Sequence, residues 1–138
     1  LLFLGSSFGG AIAVHCLLRK IWRGPTLLLA PAQGKFAGKC IVPVLRQTEY
    51  IFRITLRNFI AQYKGVLKEL DSQIPITFVH GTRDTVVPIH TSEQLVHKIN
   101  EHRIGQFQAK FLVVDDSHPL NNYFRSHIAK DLVQSLLH

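Results

Sequence analysis

Four short apolar runs, each separated from the next by residues with helical spacing, constrain this chain more than any other feature. They fall at residues 1–4, 26–30, 76–80 and 109–114. Strands so widely separated do not join as hairpins; they pair in parallel through crossovers, with helices covering both faces. The predicted fold is α/β, a three-layer sandwich around a parallel sheet. Helices are expected at residues 8–20, within 44–70, at 91–101 and at 123–137. The first is apolar on nearly every side (Ala11, Ile12, Ala13, Val14, Leu17, Leu18) and is expected to be buried. Arg19 and Lys20 suit its negative end, and Gly24-Pro25 is expected to stop it. Residues 31–39 read as a loop, Gly65 as a break in the long helical stretch, and Asp71-Ser72 as a turn. Thr91 with Gln94 fits a capping box.

Composition narrows the class. At 138 residues, 46% hydrophobic and 18% charged, the chain is a packed domain or part of one, not a disordered segment. No apolar run reaches the roughly 18–20 residues of a membrane span, so no transmembrane segment is expected. No secretory leader is visible at its start. Cys16 and Cys40 form no CxxC or metal pattern. They read as buried thiols and point to a reducing, cytoplasmic setting. The net charge of +7 comes from scattered basic residues with no dense run or aromatic interleaving. That is a solvated basic surface, and no nucleic-acid partner is expected. The chain has no methionine and opens inside an apolar strand, so it is expected to be a portion of something longer.

Ligands of such sheets bind at the carboxyl ends of the strands, and three chemically suggestive residues follow three of those ends. After the first strand comes Gly5-Ser6-Ser7-Phe8-Gly9-Gly10. A serine on a sharp strand-to-helix turn is lifted from the surface, and glycines two residues either side are expected to spare it collisions. Ser7 fits that spacing; Ser6 does not, and Ser7 also fits a helix N-cap. After the third strand comes His80-Gly81-Thr82-Arg83-Asp84, and after the fourth Asp115-Asp116-Ser117-His118-Pro119. Asp84 is the candidate acid or a turn organiser. Asp115 and Asp116 are its rivals, either able to back up His118. His80 is expected to pack or bond beneath the acid loop, and the other six histidines to be helix or surface residues.

The order Ser, Asp, His, with the Val87-Pro88 that follows Asp84, resembles the C-terminal half of the α/β-hydrolase family from the nucleophile elbow onward. The resemblance covers essentially the whole chain. It implies a serine hydrolase with a catalytic triad of Ser7, Asp84 and His118, and an oxyanion hole that includes the backbone N–H of Phe8. Imidazole, with an ordinary pKa of roughly 6.5, can take the serine proton and return it to the leaving group. Aspartate fixes its tautomer, and one oxyanion donor is worth about 3–4 kcal/mol. No cofactor and no metal are expected.

Departures from the family pattern carry their own expectations. The strands before the elbow strand are missing, and with them the second oxyanion donor and half the pocket. An N-terminal segment or a partner chain is expected to complete the sheet, and the chain alone is expected not to make a whole enzyme. Residues 31–73 leave room for only a small lid, which suggests an open pocket for a small carboxylic ester or thioester. Lys35 and Lys39 could face an anionic acyl group or simply solvent. The alternative is a non-catalytic hydrolase-like scaffold or subunit of a larger assembly.

Overall fold

The computed structural model describes residues 1–32, 70–71, 73–101 and 103–138. Four strands form one parallel sheet in the order β1 (Phe3–Ser6), β2 (Thr26–Leu29), β3 (Ile76–Gly81), β4 (Lys110–Val114). Phe3 registers with Thr26, Thr26 with Ile76, and Phe78 with Phe111. Four α-helices accompany them among the described residues: α1 (Phe8–Leu18), α2 (Ile89–Asn100), α3 (Asn121–Arg125) and α4 (His127–Leu137).

Alternation along the strands sorts side chains into two cores. Leu28, Ile76 and Phe78 pack with Ala13, Val14 and Leu17 of α1 and with Leu95 and Ile99 of α2. Leu27, Leu29 and Val79 face the opposite way, toward Leu120, Tyr123 and Ala129. The central strands β2 and β3 are buried from end to end, as expected where helices cover both faces. The three-layer α/β sandwich is therefore the observed architecture. Among the described residues β1 pairs only with β2, and so lies at the sheet edge.

Several local expectations need correction. Helix α1 ends at Leu18, well before Gly24-Pro25. Lys20 takes the left-handed conformation (φ 57°) usually reserved for glycine. Its N–H donates to Leu17 O and that of Ile21 to Cys16 O, the paired bonds of a Schellman ending. Nor is α1 buried all round: Ile12 is 39% exposed, and Cys16 is a half-buried free thiol. Helix α2 begins earlier than its expected capping box, with Pro88 at the N-cap position and Thr91 Oγ donating to Pro88 O at 2.7 Å. The closing helix is broken at Ser126, whose extended ψ of 154° separates α3 from α4. Asp71 does make a turn, its Oδ1 accepting the Gln73 N–H at 3.0 Å. The long helical stretch, Lys35, Lys39, Cys40, Gly65 and most of the expected loop and lid lie outside the described residues.

Candidate active site

Ser7 sits between β1 and α1 at φ 51°, ψ −118°, a conformation that costs a non-glycine residue about 1–3 kcal/mol. Hydrogen bonds from three directions hold it there. Its N–H donates to Leu29 O at 2.9 Å, and its carbonyl accepts from Gly10 N at 3.0 Å and Ala32 N at 2.9 Å. Close approach of the backbone explains two of the glycines. A Cβ on Gly5 would stand 2.6 Å from Gly9 O, and one on Gly10 would stand 2.6 Å from Pro31 Cβ. Gly9 differs from expectation: among the described residues a Cβ there would meet nothing within 4 Å. The steric demand after the serine falls on Gly10, because the returning segment 30–32 crosses the helix at that point.

Asp84 follows β3 in a tight loop. Its Oδ1 accepts two backbone N–H groups, from Val86 and Val87, each at 2.8 Å. That fixes the carboxylate with Oδ2 turned toward His118, whose Nδ1 lies 2.7 Å away. A carboxylate oxygen can only accept here, so in the neutral ring Nδ1 carries the proton and Nε2 is the acceptor. Nε2 lies 2.9 Å from Ser7 Oγ. The structure thus brings together Ser7, Asp84 and His118 in one hydrogen-bonded chain, although 111 residues separate the first from the last. The Asp84 side chain is fully buried and that of His118 is 18% exposed, so the imidazole alone of this pair meets solvent.

The amide of Phe8 opens α1, where the first N–H groups have no acceptor within the helix. Ser6, the last residue of β1, takes no part in this chain of bonds.

The two rival carboxylates do other things. Asp115 is exposed and pairs with Arg83, Oδ1 accepting from Nε at 2.8 Å, while the guanidinium also donates to Asp115 O at 3.1 Å. It clasps the acid loop to the histidine loop. Asp116 is buried and accepts from Tyr123 N at 2.8 Å, Ser117 N at 2.8 Å and Asn122 Nδ2 at 3.4 Å. The Tyr123 amide above all, aided by the Ser117 amide against the cost of burial, holds its carboxyl below the usual aspartate range. Neither backs up the imidazole; Asp116 anchors the start of α3, and so the loop that carries His118. Nothing in local spacing announces this, since the N-cap position is Leu120, itself left-handed at φ 53°.

His80 lies beneath the acid loop, fully buried, with Nδ1 2.7 Å from Ser92 Oγ and Nε2 2.8 Å from Val87 O. Ser92 was readable in principle: with Leu95 and Ile99 it forms the buried face of α2, where a lone hydroxyl needs a partner. No group of three or more His, Cys, Asp or Glu fit to hold a metal occurs among the described residues.

The fold is that of the α/β hydrolases, seen from the elbow strand onward. An esterase of Pyrococcus furiosus, Pf2001, superposes with a TM-score of 0.67 at 17% identity, over 99% of this chain and 52% of its own. Mouse alpha/beta hydrolase domain-containing protein 10 gives 0.65 at 14% identity, over 99% and 61%. MGS-MChE2, an alpha/beta hydrolase enzyme from a lagoon-sediment metagenome, gives 0.64 at 15%, over 97% and 59%. The chain thus spans between about half and three fifths of these structures. No protein-family model and no curated protein matches it. No helix among the described residues is long and apolar enough to cross a membrane.

Proposed function

We propose that this chain carries the catalytic half of a serine hydrolase that cleaves a small carboxylic ester or thioester through an acyl-enzyme. One observation carries the reading: Ser7 Oγ, His118 and Asp84 lie in hydrogen-bond sequence, at 2.9 and 2.7 Å, on a strained elbow. Ser7 Oγ attacks the carbonyl carbon as its proton passes to His118 Nε2. Asp84 keeps the ring in the tautomer that can accept it and stabilises the imidazolium that forms. The developing oxyanion takes the Phe8 N–H. His118 then protonates the departing alkoxide or thiolate, which leaves the acyl group on Ser7. Water repeats the attack with the same base, releasing the acid and restoring the serine.

The chain is read as one partial α/β-hydrolase domain. Its β1 edge supports an upstream segment or a partner chain that pairs there and supplies the second oxyanion donor and the rest of the pocket. The test is turnover of short-chain esters and thioesters by the complete protein. Ser7→Ala is expected to lower kcat on the order of 10⁶-fold and Asp84→Asn on the order of 10⁴-fold. Equal turnover by wild type and Ser7→Ala rejects the reading. No turnover by either favours the scaffold alternative.

A further inference from the structure

Asp84 has four lone-pair positions to satisfy, and the triad with its loop accounts for three. Val86 and Val87 amides occupy Oδ1, and His118 Nδ1 occupies one side of Oδ2. Oδ2 also lies 3.2 Å from His80 Nε2, and both side chains are fully buried.

We propose that His80 is a positioning residue for the acid of the triad: a neutral imidazole whose Nε2–H, shared between Val87 O and Asp84 Oδ2, holds the carboxylate in the orientation that serves His118. The inference rests on the hydrolase reading above. The tautomer follows from the neighbours. Nε2 stands 2.8 Å from a carbonyl oxygen and 3.2 Å from a carboxylate oxygen, neither of which can donate, so Nε2 must bear the proton. Among the described residues Nδ1 has Ser92 Oγ as its hydrogen-bond partner, at 2.7 Å, and a hydroxyl can donate to it. Ser92, itself fully buried on α2, therefore fixes which ring nitrogen is protonated. Burial holds the imidazole below its ordinary value against the opposing pull of Val87 O and Asp84, and neighbouring His118 pushes the same way as burial. A neutral His80 leaves the full charge of Asp84 for the imidazolium that forms at His118. The hydrogen-bond order is then Ser92, His80, Asp84, His118, Ser7, tying α2 and both loops to one carboxylate.

The test measures the rate constant for fluorophosphonate modification of Ser7 in the complete protein, alongside its melting temperature. His80→Phe keeps the ring's bulk and removes the donor; a roughly tenfold slower modification is expected, the size of one lost hydrogen bond to a charged group. His80→Gln, whose amide can donate from nearly the same place, is expected to recover to within about threefold of wild type. In an Asp84→Asn background, His80→Phe is expected to cost less than about twofold, because its effect passes through that carboxylate. An unchanged rate in folded His80→Phe overturns the proposal, as does the same tenfold loss in both backgrounds, which marks a merely structural histidine. Should His80→Phe not fold, Ser92→Ala carries the test: slower modification at unchanged probe affinity supports the proposal and an unchanged rate overturns it. Absence of modification in the wild type overturns the hydrolase reading and this inference with it.

Discussion

A side chain on Gly81 would collide with the carbonyl oxygen of Asp116, so the end of β3 and the loop after β4 meet backbone to backbone. Two further bonds seal the contact, from Thr82 N to Val114 O at 2.8 Å and from Arg83 N to Asp116 O at 3.0 Å. The acid loop and the histidine loop are thereby held as one unit, and the 2.7 Å separation of Asp84 from His118 follows from it. Gly81→Ala should force them apart. The expected outcome is a loss of about 1–3 kcal/mol in denaturant unfolding and up to roughly 10²-fold slower modification of Ser7, the effect of a displacement near 1 Å. Modification at the wild-type rate would show that the two loops are placed independently.

The two elbow glycines nearest in role should respond oppositely. Gly5→Ala pushes a methyl against Gly9 O and Ala13 Cβ, at 2.6 and 2.9 Å, and is expected to destabilise by about 1–3 kcal/mol. Gly9→Ala, in the first turn of α1, meets no atom of the described residues within 4 Å and is expected to stabilise by about 0.5–1 kcal/mol. Paired thermal melts of the two variants check the contrast.

The parts legible in the sequence were those written in local pattern. Apolar runs located the four strands among the described residues, and their order put Ser7, Asp84 and His118 on one edge of the sheet. What escaped was set by tertiary contact. Lys20, Ala30 and Leu120 adopt positive φ without being glycine, so no turn residue marks the end of α1, the segment that buttresses Ser7, or the start of α3. The gap at Ser126 interrupts an apolar periodicity that runs through it unbroken. Gly9 matched a motif whose steric need falls one residue later, on Gly10. Asp116 competed with Asp84 for the acid because sequence shows proximity to His118 but not the direction of a carboxylate.

Asp116 makes a pH prediction. Its folded pKa lies below that of an unfolded aspartate, so its contribution is complete above about pH 4 and is lost as pH falls through the folded value. The stability gap between wild type and Asp116→Asn, followed by urea unfolding, should be wide at neutral pH and narrow below about pH 4. A gap independent of pH would contradict the anchoring role.

His80 makes a second, in a separate window. Burial disfavours its charged form, so the folded state resists a proton that the unfolded chain accepts. Its contribution is present above about pH 6.5 and declines as pH falls toward the folded value. Wild type should therefore lose stability more steeply than His80→Gln as pH falls below about 6.5, since glutamine has nothing to titrate there. Parallel curves would mean that the imidazole is protonated in place.

Arg103 tests the frame away from the site. Its buried guanidinium donates to Ile74 O at 2.8 Å, Phe107 O at 3.2 Å and Asp71 O at 2.6 Å, joining the entry to β3 with the turn before β4. A lysine cannot span three carbonyls set in a fork. Arg103→Lys is expected to cost about 2–3 kcal/mol in unfolding free energy, while the rate of Ser7 modification per folded molecule stays within about twofold.

Whether Ser7 is the nucleophile is read most directly by treating the complete protein with a fluorophosphonate and locating the adduct by peptide mass spectrometry. One adduct per chain is expected, on Ser7, formed on the order of a thousandfold more slowly in His118→Ala and absent in Ser7→Ala. An adduct on another residue, or modification indifferent to His118, would contradict the hydrolase reading.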